Sequence, residues 1–406
     1  MGQWHRRTIG DLVTLQRGID LPTAQRRPGS VPVMGSFGIT GWHDEAACKG
    51  PGVIVGRSGA SAGVVSYIDR DYWPLNTCLY VRDFKGNHPR FAYYFLKTFD
   101  LAGLNSGSAQ PSLNRNFVHP VPAVFPDPAE QSVIASVLGA LDDKIELNRR
   151  MNETLEAMAR AIFKDWFVDF GPTRAKIEGR APYLATDIWS LFPDRLDDEG
   201  RPEGWRGGSL SEIVEIAPTE PMKKGELKPY LDMAALPTQG SSSDPAILRE
   251  YSSGTRFRNG DTLLARITPC LENGKTAFVQ NLPPDTVGWG STEFIVMRSR
   301  PSVPKVVSYL IAREPTFRRH AIQSMTGTSG RQRANADAIA AYPVVLPSNE
   351  KLWDAITEVA TPAFEKIAMN TEESLTLAAT RDLLLPKLMS GEIRLKDAKK
   401  GVGGIA

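Results

Sequence analysis

Residues 130–169, EQSVIASVLGALDDKIELNRRMNETLEAMARAIFKDWFVD, decide the fold. Alternate steps of four and three from Ile134 land on Leu138, Leu141, Ile145, Asn148, Asn152, Leu155, Ala159, Ile162 and Trp166, an unbroken heptad seam. The only glycine in the stretch is Gly139, no proline interrupts it, and Pro128 just upstream suits a first helical turn. At 1.5 Å per residue the predicted helix extends roughly 60 Å, far more than an ordinary globular helix. An apolar seam of that length needs a partner along all of it.

The same chain supplies one. Displacing each seam position by 222 residues gives Ile356, Ala360, Ala363, Ile367, Asn370, Ser374, Leu377, Arg381, Leu384 and Leu388, mostly apolar or small. Local spelling agrees, with DKIELN at 143–148 against EKIAMN at 365–370. Asn148 and Asn370 fall at the same seam position, where a buried polar layer costs stability but fixes register. Pro362 stands early in the second stretch and predicts a kink or a start there.

Composition bounds the rest. The 406 residues, 41% hydrophobic and 23% charged, allow a large core and two or three domains. A net charge of +2 argues against uniform coating of a polyanion and leaves local basic clusters open. Cys48, Cys78 and Cys270 are widely spaced and lack a CxxC pair, so neither a disulfide framework nor a zinc site is indicated. The start, MGQWHRRTIGDL, has no apolar core of a signal peptide, and no stretch approaches 18 apolar residues, so a cytoplasmic protein without membrane contact is expected.

Residues 1 to about 126 read as a mixed domain: short β-branched runs at 31–34, 52–55, 63–68 and 78–81, a helix at 89–98, and the polar segment NSGSAQPSLNRN at 105–116. After a Pro/Gly-punctuated connector this order returns. Trp4 and IGDLV at 9–13 answer to Trp205 and LSEIV at 210–214; VIVGR at 53–57 answers to TLLAR at 262–266. Residues 77–81 answer to 292–296, and 106–114 to TGTSGRQRAN at 326–335. The chain is therefore a duplicated domain-plus-helix unit. If the long helices pair antiparallel, two readers stand at fixed separation on a rod, the design needed for two half-sites on one duplex.

Recurring polar residues are the binding candidates. Arg57 and Arg266 follow corresponding strands and suit either a DNA contact or an internal ion pair. Gln110, Asn114 and Arg115 in the first polar loop, and Thr328, Arg331, Gln332, Arg333 and Asn335 in the second, have the side chains that read base edges or hold phosphates, although a solvated loop has the same composition. Arg26, Arg27, Lys49, Lys223, Lys224 and Lys275 are further phosphate candidates, while Arg174, Lys176 and Arg180 fit partner subunits or DNA backbone equally.

Catalytic motifs are weak. Gly274-Lys275-Thr276 resembles the end of a P-loop, but Pro269 occupies the place of its first glycine. NLPP at 281–284 is not the Asn-Pro-Pro-aromatic arrangement of amino-methyltransferases. Pro126-Asp127 with Asp142, Asp143 and Lys144 fits a loose nuclease pattern, yet the latter three lie in the heptad helix, where a solvated charged face is expected. The five histidines show no metal spacing, and His88 and His119 read as loop residues. No catalytic or metal-ligating residue is assigned.

With its tandem order, the stretch at 130–170, GPTRAKIEGR at 171–180, LFPDRL at 191–196 and RDLLLPKLMSGEIRL at 381–395, the chain resembles the specificity subunit of type I restriction-modification systems over nearly its whole length. The resemblance implies an α/β (α+β) fold with two pseudo-repeated target-recognition domains separated by two long antiparallel coiled-coil helices. Expected boundaries are 1–129 and 205–347 for the two domains, 130–169 and 348–395 for the helices, 170–204 for a connector and 396–406 for a tail. It also implies a non-catalytic reader of a bipartite, asymmetric double-stranded DNA target. Two modification subunits that use S-adenosylmethionine to methylate adenine N6 are the expected partners; restriction subunits would add ATP and Mg. The rival readings are a self-contained DNA methyltransferase or nuclease, and a coiled-coil adaptor that binds no DNA.

Overall fold

The computed structural model describes residues 4–104, 112–328 and 330–394. Gln110 lies outside them, so its place is not described. The chain divides into two compact units, Met1–Ile145 with Leu375–Ala406, and Glu146–Ser374. The division falls inside both long helices, Pro128–Phe167 and Lys351–Ser390, because each helix buries its two halves in two different cores.

In the first unit, Trp4–Thr8 pairs antiparallel with Pro122–Pro126. A four-stranded antiparallel sheet follows in the order Thr14–Arg17, Cys78–Asp83, Gly52–Gly56, Val65–Ile68. Val31–Gly35 runs between Gly38–His43, antiparallel, and Trp73–Pro74, parallel. The second unit repeats this plan. Arg206–Ser209 pairs with Pro343–Leu346; Val214–Ile216, Phe294–Ser299, Asp261–Ala265 and Thr276–Phe278 form the corresponding four-stranded sheet. Leu227–Leu231 again lies between an antiparallel neighbour, Ile247–Glu250, and a parallel one, Gly288–Gly290; a further strand, Thr255–Phe257, is added at the edge. Even a local device recurs: a capping box links Thr8 with Asp11 and Ser209 with Glu212, seating Ile9, Leu12 and Leu210 in their cores.

The pairing of strands corrects one equivalence. Gly56 stands across from Cys78, and Ala265 from Phe294, so Thr77 corresponds to Glu293, one residue beyond the match expected from spelling. Backbone register follows hydrogen bonding, and the shared Thr at 77 and 292 is coincidental to it.

Within the first unit, Ile134, Leu138 and Leu388 are buried and Leu384 packs partly against them. Leu141, Ile145 and Leu377 are half-buried. Gly139 lies under a guanidinium: a Cβ there would come within 2.9 Å of Arg90 Cζ. Arg90 also donates to the Gly139 carbonyl and, through both terminal nitrogens, to Asp143 at 2.8 and 2.7 Å. Asp142 accepts from Tyr94 Oη at 2.5 Å and from Arg381 Nη1 at 2.7 Å. Asp142 and Asp143 therefore clamp the domain and the second helix onto the first helix; Asp143 stays on the solvated face expected, while Asp142 is drawn into a largely buried pairing.

Within the second unit the seam is aromatic at one end and polar at the other. Phe167 stacks on Trp353 with centroids 4.8 Å apart, and Phe163, Trp166, Phe192 and Trp205 join the same core as Ile162, Leu155 and Ile367. Asn148 and Asn370 are fully buried. They do not simply face each other: Asn148 Nδ2 donates to the Asn370 carbonyl at 3.3 Å and to Glu373 at 2.8 Å, while Asn370 Nδ2 donates to Asn152 Oδ1 at 2.8 Å. Three interleaved asparagines make the register lock. The second helix runs through Pro362, which is exposed, and Phe364 takes the buried place expected for Ala363.

Candidate nucleic-acid interface

The end of the central strand organises the polar loop identically in both units. Leu113 N donates to the Arg57 carbonyl at 2.8 Å, and Ala334 N to the Arg266 carbonyl at 2.8 Å. The arginine amides are held in turn by the Thr77 carbonyl at 3.0 Å and the Glu293 carbonyl at 2.9 Å. One step further, Asn114 Oδ1 accepts from Asn116 N at 3.0 Å and Asn335 Oδ1 from Asp337 N at 2.8 Å, capping the short helices Arg115–Val118 and Ala336–Ala340. The recurring asparagines thus have a structural duty in addition to any contact with a ligand.

In the first unit this frame opens a polar cleft of about 930 Å³. Arg17, Arg57, Arg82 and Arg115 line it together with Gln16, Asn76, Asn114 and Asn116; Asp20 is the one carboxylate in the lining, and it accepts from Asn76 Nδ2 at 2.8 Å. Arg57 Nη1 donates to the Asn76 carbonyl at 3.3 Å, and among the described residues no carboxylate pairs with it. Arg82 leans on Gln16 Oε1 at 3.3 Å. Cationic forks spread around a concave polar wall can follow a phosphate backbone, while amide side chains between them can read base edges.

In the second unit, Arg266 keeps its place, with its Nε buried and unpartnered, but the surrounding charge is spent differently. Arg333 Nε donates to both Glu293 oxygens, at 3.0 and 2.9 Å, and its Nη2 adds a bond of 2.6 Å. Thr326 and Arg333 are joined by reciprocal backbone bonds, Arg331 N reaches the Thr328 carbonyl at 3.0 Å, and Gly330 takes a left-handed φ of 78° that favours glycine. Thr328 and Arg331 are exposed, and Gln332 is zipped to Thr268 through N to Oγ1 at 3.0 Å.

The remaining candidates scatter. Arg27 is paired with Asp44 at 2.7 Å and Glu45 at 3.3 Å, Lys49 with Asp71 at 2.6 Å, and Arg26 donates to the Thr40 carbonyl at 3.1 Å. Lys275 turns inward to the Met233 carbonyl at 2.7 Å, which leaves no P-loop cradle around it. Lys223 and Lys224 are exposed. His88 and His119 are not idle loop residues: His88 Nδ1 caps the helix Pro89–Leu96, and His119 Nε2 accepts from Leu15 N at 2.9 Å; burial holds both imidazoles below the usual histidine range. Among the described residues no group of His, Cys, Asp or Glu is arranged to hold a metal ion, and no helix is long and apolar enough to cross a membrane.

Sequence reasoning missed Arg17, Arg82, Asn76 and Gln16. Arg17 and Arg82 are single basic residues at the ends of two strands that become neighbours only through pairing, with Gln16 opposite Tyr80. No local spacing could announce that.

Residues 1–157 match the model of the type I restriction modification DNA specificity domain. The chain is similar to the type I restriction enzyme HindI specificity subunit of Haemophilus influenzae, 24% identical over 339 residues that cover 70% of this chain and 71% of the relative. It is also similar to the MjaIX specificity subunit of Methanocaldococcus jannaschii, 26% identical over 324 residues that cover 76% and 69%. In fold it is similar to the crystal structure of a type I restriction-modification S subunit from M. genitalium, with a TM-score of 0.60 and 16% identity over 95% and 96% of the two chains.

Proposed function

We propose, since the chain belongs to the specificity subunits of type I restriction-modification systems, that each of its two repeats reads one half of a split, asymmetric DNA target. The observation that carries this reading is the duplicated frame, in which a strand-end arginine and an asparagine-capped polar loop are locked together by the same 2.8 Å bond in both units. The first unit offers the cleft of Arg17, Arg57, Arg82 and Arg115; the second offers Arg266 and the exposed Thr328 and Arg331. Bond making is left to partners: modification subunits that carry S-adenosylmethionine and methylate adenine N6, and restriction subunits that use ATP and Mg. The complex works in the cytoplasm, and the long helices, by their length, set the spacer between half-sites.

The test is a genome-wide map of methylated adenine in cells that hold the modification subunits with and without this chain. A split motif that vanishes with the chain is expected. Arg57→Ala should relax or abolish one half of the motif and Arg331→Ala the other, each weakening binding of the assembled complex and lowering its salt slope by about 1 for every phosphate no longer held. An unchanged map with active modification subunits would move the chain to the adaptor reading.

A further inference from the structure

Phe37 is the most solvent-exposed large apolar side chain of the described residues, 81% exposed at the tip of the hairpin joining Val31–Gly35 to Gly38–His43. Leaving a phenylalanine in water forgoes stabilisation that burial would supply, and nothing in the turn demands an aromatic residue there. The turn itself is built firmly. Gly35 pairs with Gly38, whose φ of 117° suits glycine alone, and Ser36 Oγ donates to the Thr77 carbonyl at 2.5 Å. Gly56 lets the tip close in: a Cβ there would lie 2.7 Å from the Ser36 carbonyl oxygen.

Those contacts bring the turn that carries Phe37 against Gly56 and Thr77, the immediate chain neighbours of two cleft-lining residues, Arg57 and Asn76. Gly56 precedes Arg57, and Thr77 follows Asn76, whose carbonyl receives Arg57 Nη1 and whose side chain lines the cleft. An exposed aromatic side chain on a firmly bonded turn that packs against the chain neighbours of cleft-lining arginine and asparagine residues has two properties a base contact needs: an apolar surface and a turn fixed relative to the phosphate-holding groups.

We infer that Phe37 is a specificity-determining residue that makes direct apolar contact with bases of the half-site read by the first unit, either against a thymine methyl group or as a wedge in the base stack. The inference rests on the reading of that cleft as a DNA-facing surface. A protein partner docking on the same tip is the alternative outcome, since Ile39 and Trp42 are also exposed on this hairpin.

The test uses the full chain assembled with its modification subunits, and duplexes carrying each single base-pair change in the target. The wild-type complex should discriminate at the contacted pair by roughly 5- to 100-fold, and Phe37→Ala should reduce this to about twofold at one or two adjacent positions of one half-site only. Deoxyuridine in place of thymidine should reproduce the loss if the methyl group is the contact; 2-aminopurine fluorescence that rises on binding and falls with Phe37→Ala marks the wedge. Unchanged discrimination at every position overturns the inference, as does impaired assembly with intact base preference. Arg57→Ala, measured beside it, separates the two levels: if that variant also leaves both half-sites intact, the DNA-facing reading of the cleft fails with it.

Discussion

The two units share a backbone plan and differ in how they use charge. Thr77 and Glu293 occupy the same place, each giving its carbonyl to the arginine amide after the central strand. The threonine leaves the neighbouring guanidiniums available to the cleft. The glutamate captures Arg333 with three hydrogen bonds and moves the exposed cation to Arg331. Attachment to the long helices differs as well. The first unit is clamped by Arg90, Asp143, Asp142 and Arg381, whereas the second buries Phe163, Trp166, Phe167, Trp205 and Trp353. A duplicated frame can keep its hydrogen-bonded geometry while its side chains diverge, which is what the proposed reading of an asymmetric target requires.

The largest effect should come from the aromatic attachment. Phe167→Ala removes a ring stacked parallel on Trp353, with an expected loss of about 3–5 kcal/mol concentrated in the second unit. Hydrogen exchange would locate it, and an equal loss of protection in the first unit would break the contrast. The polar clamp should be weaker. Gly139→Ala brings a methyl group against the Arg90 guanidinium, costing about 1–3 kcal/mol against a helix-propensity gain of about 1 kcal/mol, so a net fall in the thermal midpoint is expected. A more stable protein would show that Arg90 swings aside and that the clamp does not hold the unit.

The smallest effect sharpens the comparison where the second unit begins. Hydrogen bonds from Arg149, then Arg150, hold the Glu146 carboxyl down at about 2 against an ordinary 4.5. A carboxylate depressed in the folded state contributes its stability fully above its unfolded value and loses it as pH falls from about 4.5 to about 2. Glu146→Gln should therefore flatten the acid limb of the stability curve in that window and change little at neutral pH. Half-exposure and salt screening keep the difference small. Identical acid curves in wild type and variant would mean that the surface arginines make no net contribution.

Much of this was legible in one dimension. The heptad seam, the 222-residue repeat and the return of IGDLV as LSEIV report local periodicity, and burial of Ile134, Leu138, Ile367 and Leu388 follows from it. Register within the seam was less legible, because Phe364 outcompetes Ala363 for volume and the asparagines offset to satisfy backbone carbonyls. Charged residues were least legible. Asp142 and Asp143 carry no sign in the sequence of the partners Arg90, Tyr94 and Arg381 that arrive from distant parts of the chain, and the basic candidates Arg27, Lys49 and Arg333 turn out to have carboxylate partners.

By itself, then, the sequence determined the duplication, the two long helices and the strand-end arginines Arg57 and Arg266, since these depend on spacing between near neighbours. Only the tertiary structure decided which guanidiniums stay unpaired, that Arg17 and Arg82 join Arg57 around one cleft, and that the turn carrying Phe37 is bonded to Thr77, next to the cleft residue Asn76. An apolar residue announces its burial through the periodicity of its own element. A charged or exposed residue takes its role from whichever group folding brings within a few ångströms, and that is set by strand pairing across tens to hundreds of residues.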